Sequence, residues 1–209
     1  MVQLRGLRDL EEGREFVILD EKWDFNNGGK RMYELFVLGE LSISAKHGYE
    51  LQYMLKNTVG PIRQISNGTL YPLISKLVEN GLINQLDDLQ EGGRSKKIYE
   101  VTESGRRRFV ELMKEPLEYS TDIDLQLHLK MTFFGYVSQE IRMATMEQYM
   151  EYLQFNLKYI RELESQVHAK QEIPDAKKPE VLRIFGHRRI VTEAEIQWAI
   201  NEIEHITKG

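Results

Sequence analysis

Asn67-Gly68-Thr69-Leu70-Tyr71-Pro72-Leu73-Ile74-Ser75-Lys76-Leu77-Val78-Glu79-Asn80-Gly81 is the stretch that decides how the rest of this chain folds. Leu70, Leu73, Ile74 and Leu77 recur at i, i+3, i+4 and i+7, which predicts one helix with a single buried stripe. Gly81 supplies the left-handed residue that ends many helices, and Leu82 can fold back over the last turn. The opposite face carries Thr69, Tyr71, Ser75, Lys76 and Asn80, small or polar groups suited to base edges and phosphates. Pro72 limits where the helix begins. Thr69 as N-cap leaves it uninterrupted, whereas a cap at Ser66 or Asn67 gives up one hydrogen bond at Pro72. Either start leaves backbone N–H groups able to meet an anion. Such a helix on its own is more often a core element than a recognition element, so its neighbours decide.

Upstream, Met32 to Ile43 is an apolar helical run using Leu35, Phe36, Leu38 and Leu41. A break at Ser44-Ala45-Lys46 leads into a second helix over His47 to Lys56, with Leu51, Met54 and Leu55 inward, and Gly60-Pro61 then punctuates the chain. Downstream, Leu82–Leu86 and Lys97–Val101 read as two strands around a tip, 87–96, that contains Gly92-Gly93. Three helices followed by a hairpin make a winged helix-turn-helix. In that arrangement one helix enters the major groove while the basic tip reaches neighbouring phosphates. A segment such as Gly93-Arg94-Ser95-Lys96-Lys97 is by itself more often a solvated turn, but next to this helix order it reads as a wing.

At 209 residues the chain accommodates one compact domain, or a small domain with an appendage. With 29% charged and 41% hydrophobic residues, it has the composition of an ordinary soluble protein. The sequence contains no cysteine, which excludes a disulfide framework and thiolate-based metal or redox chemistry and fits a cytoplasmic location. No apolar run reaches the length of a membrane span, and the amino terminus lacks a signal-peptide pattern. The net charge of −5 opposes indiscriminate nucleic-acid binding. Between Gly92 and Arg108, however, Arg94, Lys96, Lys97, Arg106, Arg107 and Arg108 face only Glu100 and Glu103, so positive charge gathers beside the recognition helix. The histidines at 47, 128, 168, 187 and 205 have no metal-ligand spacing, and no Gly-rich phosphate loop joins a strand to a helix. We therefore expect no catalytic residue, no metal site and no cofactor.

Residues 33–105 resemble the winged-helix domain of the PadR family of bacterial transcription regulators. The matching pieces are Leu38-Gly39 with Leu41, His47-Gly48-Tyr49-Glu50-Leu51, Gly68-Thr69-Leu70-Tyr71-Pro72, Leu77 to Ile83, Gly92-Gly93-Arg94, Lys97 with Tyr99, and Val101 to Gly105. Asn67 stands where the family often has serine, and Glu40 interrupts the usual apolar run of the first helix. The resemblance implies a dimeric repressor that binds double-stranded DNA at a roughly palindromic operator, with carboxy-terminal helices holding the dimer. It implies DNA contacts from Tyr49, Thr69, Tyr71, Lys76, Arg94, Lys96 and Lys97, with Asn67 capping or meeting phosphate. Only the resemblance speaks for Tyr49. Some relatives respond to phenolic acids and others to lipophilic drugs, so a small-molecule effector is possible by analogy, and no residue here identifies one.

Thr102 reads as the N-cap of a helix that ends before Pro116. Ile123 to Met131 alternates like a strand, yet its residues are helix formers and the resemblance implies helix, which is our expectation. Ser138 to about Lys170 is a long helix whose Met146, Met150, Leu153, Leu157, Ile160 and Val167 follow heptad-like steps. Pro174 and Pro179 break the chain, and Thr192 with Glu195 reads as a capping box opening a last helix, stapled by Val191 and Ile196. That helix carries Trp198 and a stripe of Ile196, Ala199, Ile200, Ile203 and Ile206. The two stripes could satisfy each other within one chain. The heptad spacing and the resemblance favour a homodimer instead, with Leu153, Leu157, Ile160, Trp198, Ile200 and Ile203 at its interface.

The fold class expected is mainly α with a small β-hairpin: a winged helix-turn-helix followed by a carboxy-terminal helical dimerisation domain. The divisions expected are an amino-terminal arm at 1–30, with Asn26-Asn27-Gly28-Gly29 as its joint, the winged helix at 31–116 and the helical domain at 117–209. The function expected is transcriptional regulation through DNA; the alternative is a winged helix used only for protein assembly.

Overall fold

A computed structural model of the chain describes residues 25–59, 67–88, 96–169 and 174–208. The expectations for Leu4 to Leu10, Phe16 to Leu19, Gly60-Pro61, Gly92-Gly93 and Arg94 lie outside the described residues. The first helix, α1, spans Phe25–Ile43. It buries Met32, Leu35, Phe36, Val37, Leu38 and Leu41. Asn26 to Gly29, read from sequence as a joint, are helical. Propensity is a weak prior, and once a buried stripe has nucleated a helix, adding residues at its end costs little.

Lys46–His47 forms a short strand, β1, where the sequence suggested a break followed directly by helix. It pairs antiparallel with the third strand, Lys46 opposite Tyr99 and His47 opposite Ile98. Helix α2 then runs Gly48–Val59, with Leu51 and Leu55 buried. Glu40, the departure from the apolar run, is 4% exposed. Its carboxylate lies 3.7 Å from the Lys46 ammonium, which also donates to the Glu40 carbonyl at 3.0 Å. Burial pushes the Glu40 carboxyl above its usual value, and the lysine only partly opposes that. The misfit residue thus becomes a tether between the end of α1 and β1.

Helix α3 spans Asn67–Glu79 with Pro72 inside it. The helix therefore begins before Thr69 and forgoes the bond that Pro72 cannot donate. Leu70, Ile74 and Leu77 are buried. Gly81 has φ +67°, and the Leu82 and Gly81 N–H groups return to the carbonyls of Leu77 and Val78 at 3.0 and 2.9 Å, as a glycine-ended helix requires. Strands β2, Ile83–Asp88, and β3, Lys96–Val101, pair from Ile83 opposite Val101 to Asp88 opposite Lys96. The sheet order is β1-β3-β2, three strands where a hairpin of two was expected.

Helix α4, Glu103–Lys114, is capped by the Thr102 hydroxyl, which accepts from the Gly105 N–H at 3.0 Å. Helix α5 occupies Ile123–Thr132, so helix-forming residues outweigh the alternation. One core joins α1 to α4 and the sheet, and includes Leu129 and Phe133. A second gathers Leu117, Ile123, Leu127, Met146, Tyr149, Leu153, Ala199 and Ile206. Residues of α5 enter both. A Cβ on Gly39 would sit 2.6 Å from the Phe133 ring, which makes this contact between α1 and the end of α5 a close one.

Helices α6, Gln139–Ala169, and α7, Lys178–Lys208, form an antiparallel hairpin. Gln139 meets Ile206 at one end, Arg161 meets Glu193 further along, and Arg189 meets Glu164 beyond that. Thr192 is buried in mid-helix, so the expected capping box does not form and Pro179 sits near the start of α7 instead. The seam is Met146, Leu153, Ile160 and Val167 against Thr192, Ala199 and Ile206, both series at seven-residue spacing. Leu153 and Ile160 are 1% and 0% exposed within the single chain. Leu153 belongs to the second core, and both residues are covered within the single chain.

Lys130 is the most perturbed cation of the described structure. It is 5% exposed, and its ammonium donates to the Met113 carbonyl at 3.1 Å and to the Glu115 carbonyl, capping the end of α4. Burial draws it down from 10.5 to about 8, against the pull of Glu115. Between those values the unfolded chain holds a proton that the folded chain has released, so stability rises with pH across that window. Above about 10 the buried tyrosines, whose hydroxyls resist ionisation when folded, reverse the trend. Denaturant midpoints should therefore climb from pH 8 towards 10, by on the order of 1–3 kcal/mol, and Lys130→Met should abolish the climb. An identical climb in the variant would show that another group titrates.

Candidate nucleic-acid interface

The start of α2, the exposed side of α3 and the outer end of β3 enclose an open cleft of about 610 Å³. Its polar lining comes from His47, Tyr49, Tyr71, Ser75, Gln85 and Lys97, with Glu79 at the far end. The local chemistry explains how these groups reach one place. The stripe of α3 turns Leu70, Ile74 and Leu77 inward, which forces Thr69 and Lys76, seven residues apart, onto one exposed line of the helix. Tyr71 and Ser75, four apart, form the neighbouring line that borders the cleft. Tyr71 is 40% exposed and Tyr49 is 54% exposed. Gly48 lets Tyr71 come close: a Cβ there would lie 3.1 Å from the Tyr71 ring. Tyr99 is buried beneath, and burial followed by the nearby Tyr71 raises its hydroxyl above the usual value.

Of the residues expected to meet DNA, the structure brings Tyr49, Tyr71 and Lys97 to this cleft and leaves Thr69 and Lys76 on the adjacent exposed line of α3. Asn67 opens α3 and Lys96 opens β3, but only their backbones are described. The three arginines at 106–108 do not join this face. Arg106 donates to the Ser42 carbonyl at 3.1 Å, and Arg107 pairs with Glu103 at 3.7 Å. Arg108 is held by Glu34 at 2.9 Å, with Glu115 and Glu111 at 3.4 and 3.5 Å. The local excess of positive charge read from sequence is thus partly spent on fastening α4 to α1.

Two residues belong to this surface that sequence reasoning passed over. Tyr53, 68% exposed, stands one turn beyond Tyr49 on the same side of α2. The i, i+4 spacing off the Leu51 and Leu55 stripe was readable. His47 was not, because its role depends on β1. Its backbone N–H donates to the Glu50 carboxylate at 2.7 Å, and its ring lies nearly parallel to Tyr49 with centroids 5.2 Å apart. Among the described residues no group of three His, Cys, Asp or Glu could hold a metal ion, and no helix is long and apolar enough to cross a membrane. Two cavities beside α4, about 40 Å³ next to Lys130 and about 140 Å³ against α6, are smaller than the few hundred Å³ usual around an organic ligand.

Residues 37–111 match the transcriptional regulator PadR-like family. The negative transcriptional regulator PadR of Bacillus subtilis (strain 168) is 21% identical over 164 residues, 78% of this chain and 88% of that protein. An uncharacterised protein of Lysinibacillus sphaericus is 32% identical over 81 residues, 38% of this chain and 73% of that one. Among solved structures, Bacillus subtilis PadR in complex with operator DNA superposes with a TM-score of 0.40 at 17% identity, over 84% of this chain and 98% of that chain.

Proposed function

This chain belongs to the PadR-like family of transcriptional regulators, and from that premise we propose that it represses transcription by gripping double-stranded DNA with α3 and the wing. The observation that carries the reading is the convergence of Tyr49, Tyr71 and Lys97 on one exposed cleft beside Thr69 and Lys76. Aromatic hydroxyls and lysines around a helix whose first N–H groups lack intrahelical partners offer donors to phosphates, while the side chains of α3 reach base edges. The proposal adds Asn67, Arg94 and Lys96, which the family resemblance implicates in the same contact.

Counterion release makes the test quantitative. Arg94→Ala and Lys97→Ala should each weaken binding to specific and random duplexes alike and lower the slope of log affinity against log salt by about one. Lys76→Ala should cost about 1–3 kcal/mol on the specific site and less on random DNA, because a base contact discriminates and a phosphate contact does not. Unchanged slopes in both wing variants remove the wing from the contact set. Absence of any salt-dependent DNA binding in the parent protein would return the chain to the reading of a protein-assembly module.

The regulator acts, in this proposal, as a homodimer built by its helical half. A hairpin of two 31-residue helices, each about 46 Å long, covers each helix on one side only. After the α6–α7 seam has formed, Phe155 and Tyr159 remain 40% and 48% exposed, and Ile184, Ile190 and Ile200 remain 60%, 63% and 39% exposed. Leu157, Trp198 and Ile203 are half-buried, the last two resting against the second core. Apolar surface of that extent suits a second copy, and two winged helices neutralise more phosphates than one. Ile184→Asp combined with Ile190→Asp should leave the circular dichroism melt intact while converting the protein to monomer in analytical ultracentrifugation. A variant that still sediments as the dimer places the interface elsewhere.

A further inference from the structure

We propose that His47 is a positioning residue that locks the wing to the front of α2, so that Tyr49 and Lys97 present to DNA at a fixed separation. The assignment rests on the reading that Tyr49 and Lys97 meet DNA. Four contacts carry it. The His47 ring nitrogen Nδ1 lies 3.2 Å from the Lys97 carbonyl. A carbonyl only accepts, so this bond requires Nδ1 to carry the proton. The same ring stacks on Tyr49, 5.2 Å between centroids and 13° from parallel. The backbone of His47 is itself pinned, by the pairing of β1 with β3 on one side and by the Glu50 carboxylate on its N–H on the other.

The geometry makes one ring the junction of three parts of the surface. Lys97 is near the point where β3 leaves the wing, and Tyr49 is on the first turn of α2. The helix and the wing strand are separated by 50 residues in sequence, and this bond joins them directly. β2 pairs with β3 over six residues but belongs to the wing itself, so within the sheet only the two residue pairs of β1 tie the wing to the front of α2. The side-chain bond adds a third point at the outer end, where leverage on Lys97 is greatest. His47 then acts on DNA through Lys97 and Tyr49, with no contact of its own required.

Replacement by asparagine and glutamine separates this from direct contact. Asparagine places an amide N–H where Nδ1 sits and can restore the Lys97 bond; glutamine places one where Nε2 sits and cannot. Full-length variants are titrated against a fluorescein-labelled duplex of random sequence about three helical turns long, at several salt concentrations. His47→Ala should weaken binding ~10-fold and lower the salt slope by about one, as Lys97→Ala does. The double variant should have the same salt slope as Lys97→Ala, because the only charge His47 positions is that of Lys97. His47→Asn should recover the slope and His47→Gln should not. Should His47→Ala also lower the melting temperature, the Asn–Gln contrast still decides. Recovery by Gln without Asn, a salt slope in the double variant lower than that of Lys97→Ala, or an unchanged slope in His47→Ala overturns the assignment. A flat response to Lys97→Ala sinks the DNA-face reading itself, whereas a response to Lys97→Ala without one to His47→Ala sinks only the role of His47.

Discussion

The carbonyl of Leu82 is the point on which the winged helix closes. It accepts from the Thr102 N–H at 3.0 Å. The Thr102 hydroxyl stands 3.0 Å from it and 2.8 Å from the Gly81 carbonyl, so one proton serves both. That same hydroxyl accepts from Gly105 and opens α4. The end of α3, the base of both long strands and the start of α4 therefore share one small knot of hydrogen bonds. Gly81 is required because only φ +67° turns the chain out of α3 into β2 within so few residues. Gly105 is required because a Cβ there would lie 2.0 Å from the Leu82 oxygen, and backbone cannot move aside as a side-chain tip can. Loosening this knot would let the wing swing relative to α3.

An acidic chain can meet a polyanion only if its charges are sorted in space. Here the sorting is done by pairing. Glu34, Glu103, Glu111 and Glu115 take up Arg107 and Arg108 on the α1–α4 side, Arg161–Glu193 and Arg189–Glu164 bond across the helical hairpin, and Arg189 also meets Glu193 along α7. Exposed pairs of this kind contribute little to stability. Their larger consequence is that much of the charge on α4 and on the hairpin is paired, while Lys76 on α3 and Lys97 on β3 stand exposed. Glu40 is turned inward on Lys46 by the same logic, at the cost of a carboxylate oxygen with no hydrogen bond.

What could be read from sequence was whatever a local signal specifies. The stripe of α3, the glycine stop at Gly81 and the Thr102 cap each depend on residues within one or two turns, and each appears where the pattern placed it. Long-range pairing defeated the pattern. β1 is two residues long, too short to show a period, and its partner lies some 50 positions away. Arg108 looked like part of a basic patch because Glu34, its partner, is 74 residues off. Thr192 matched a capping box locally, yet its place seven before Ala199 and fourteen before Ile206 seats it in the seam with α6, and packing along 31 residues outweighs one cap. The same seam buries Leu153 and Ile160 within the single chain. The residues expected on the open side of α3, Thr69, Tyr71, Ser75 and Lys76, are exposed, because an exposed face is what remains when a buried stripe has been found.

In the proposed function the first turns of α2, the exposed lines of α3 and the outer end of β3 act as one surface for DNA. Backbone amide chemical shifts, followed while a duplex is added to the intact protein, test it most directly. The account predicts that the largest changes fall on Gly48 to Tyr53, on Asn67 to Lys76 and on Lys97, while Arg106 to Arg108 and the α6–α7 seam stay close to their starting positions. Changes centred on α4 or on the helical hairpin, with Tyr49, Tyr71 and Lys97 unmoved, would contradict it.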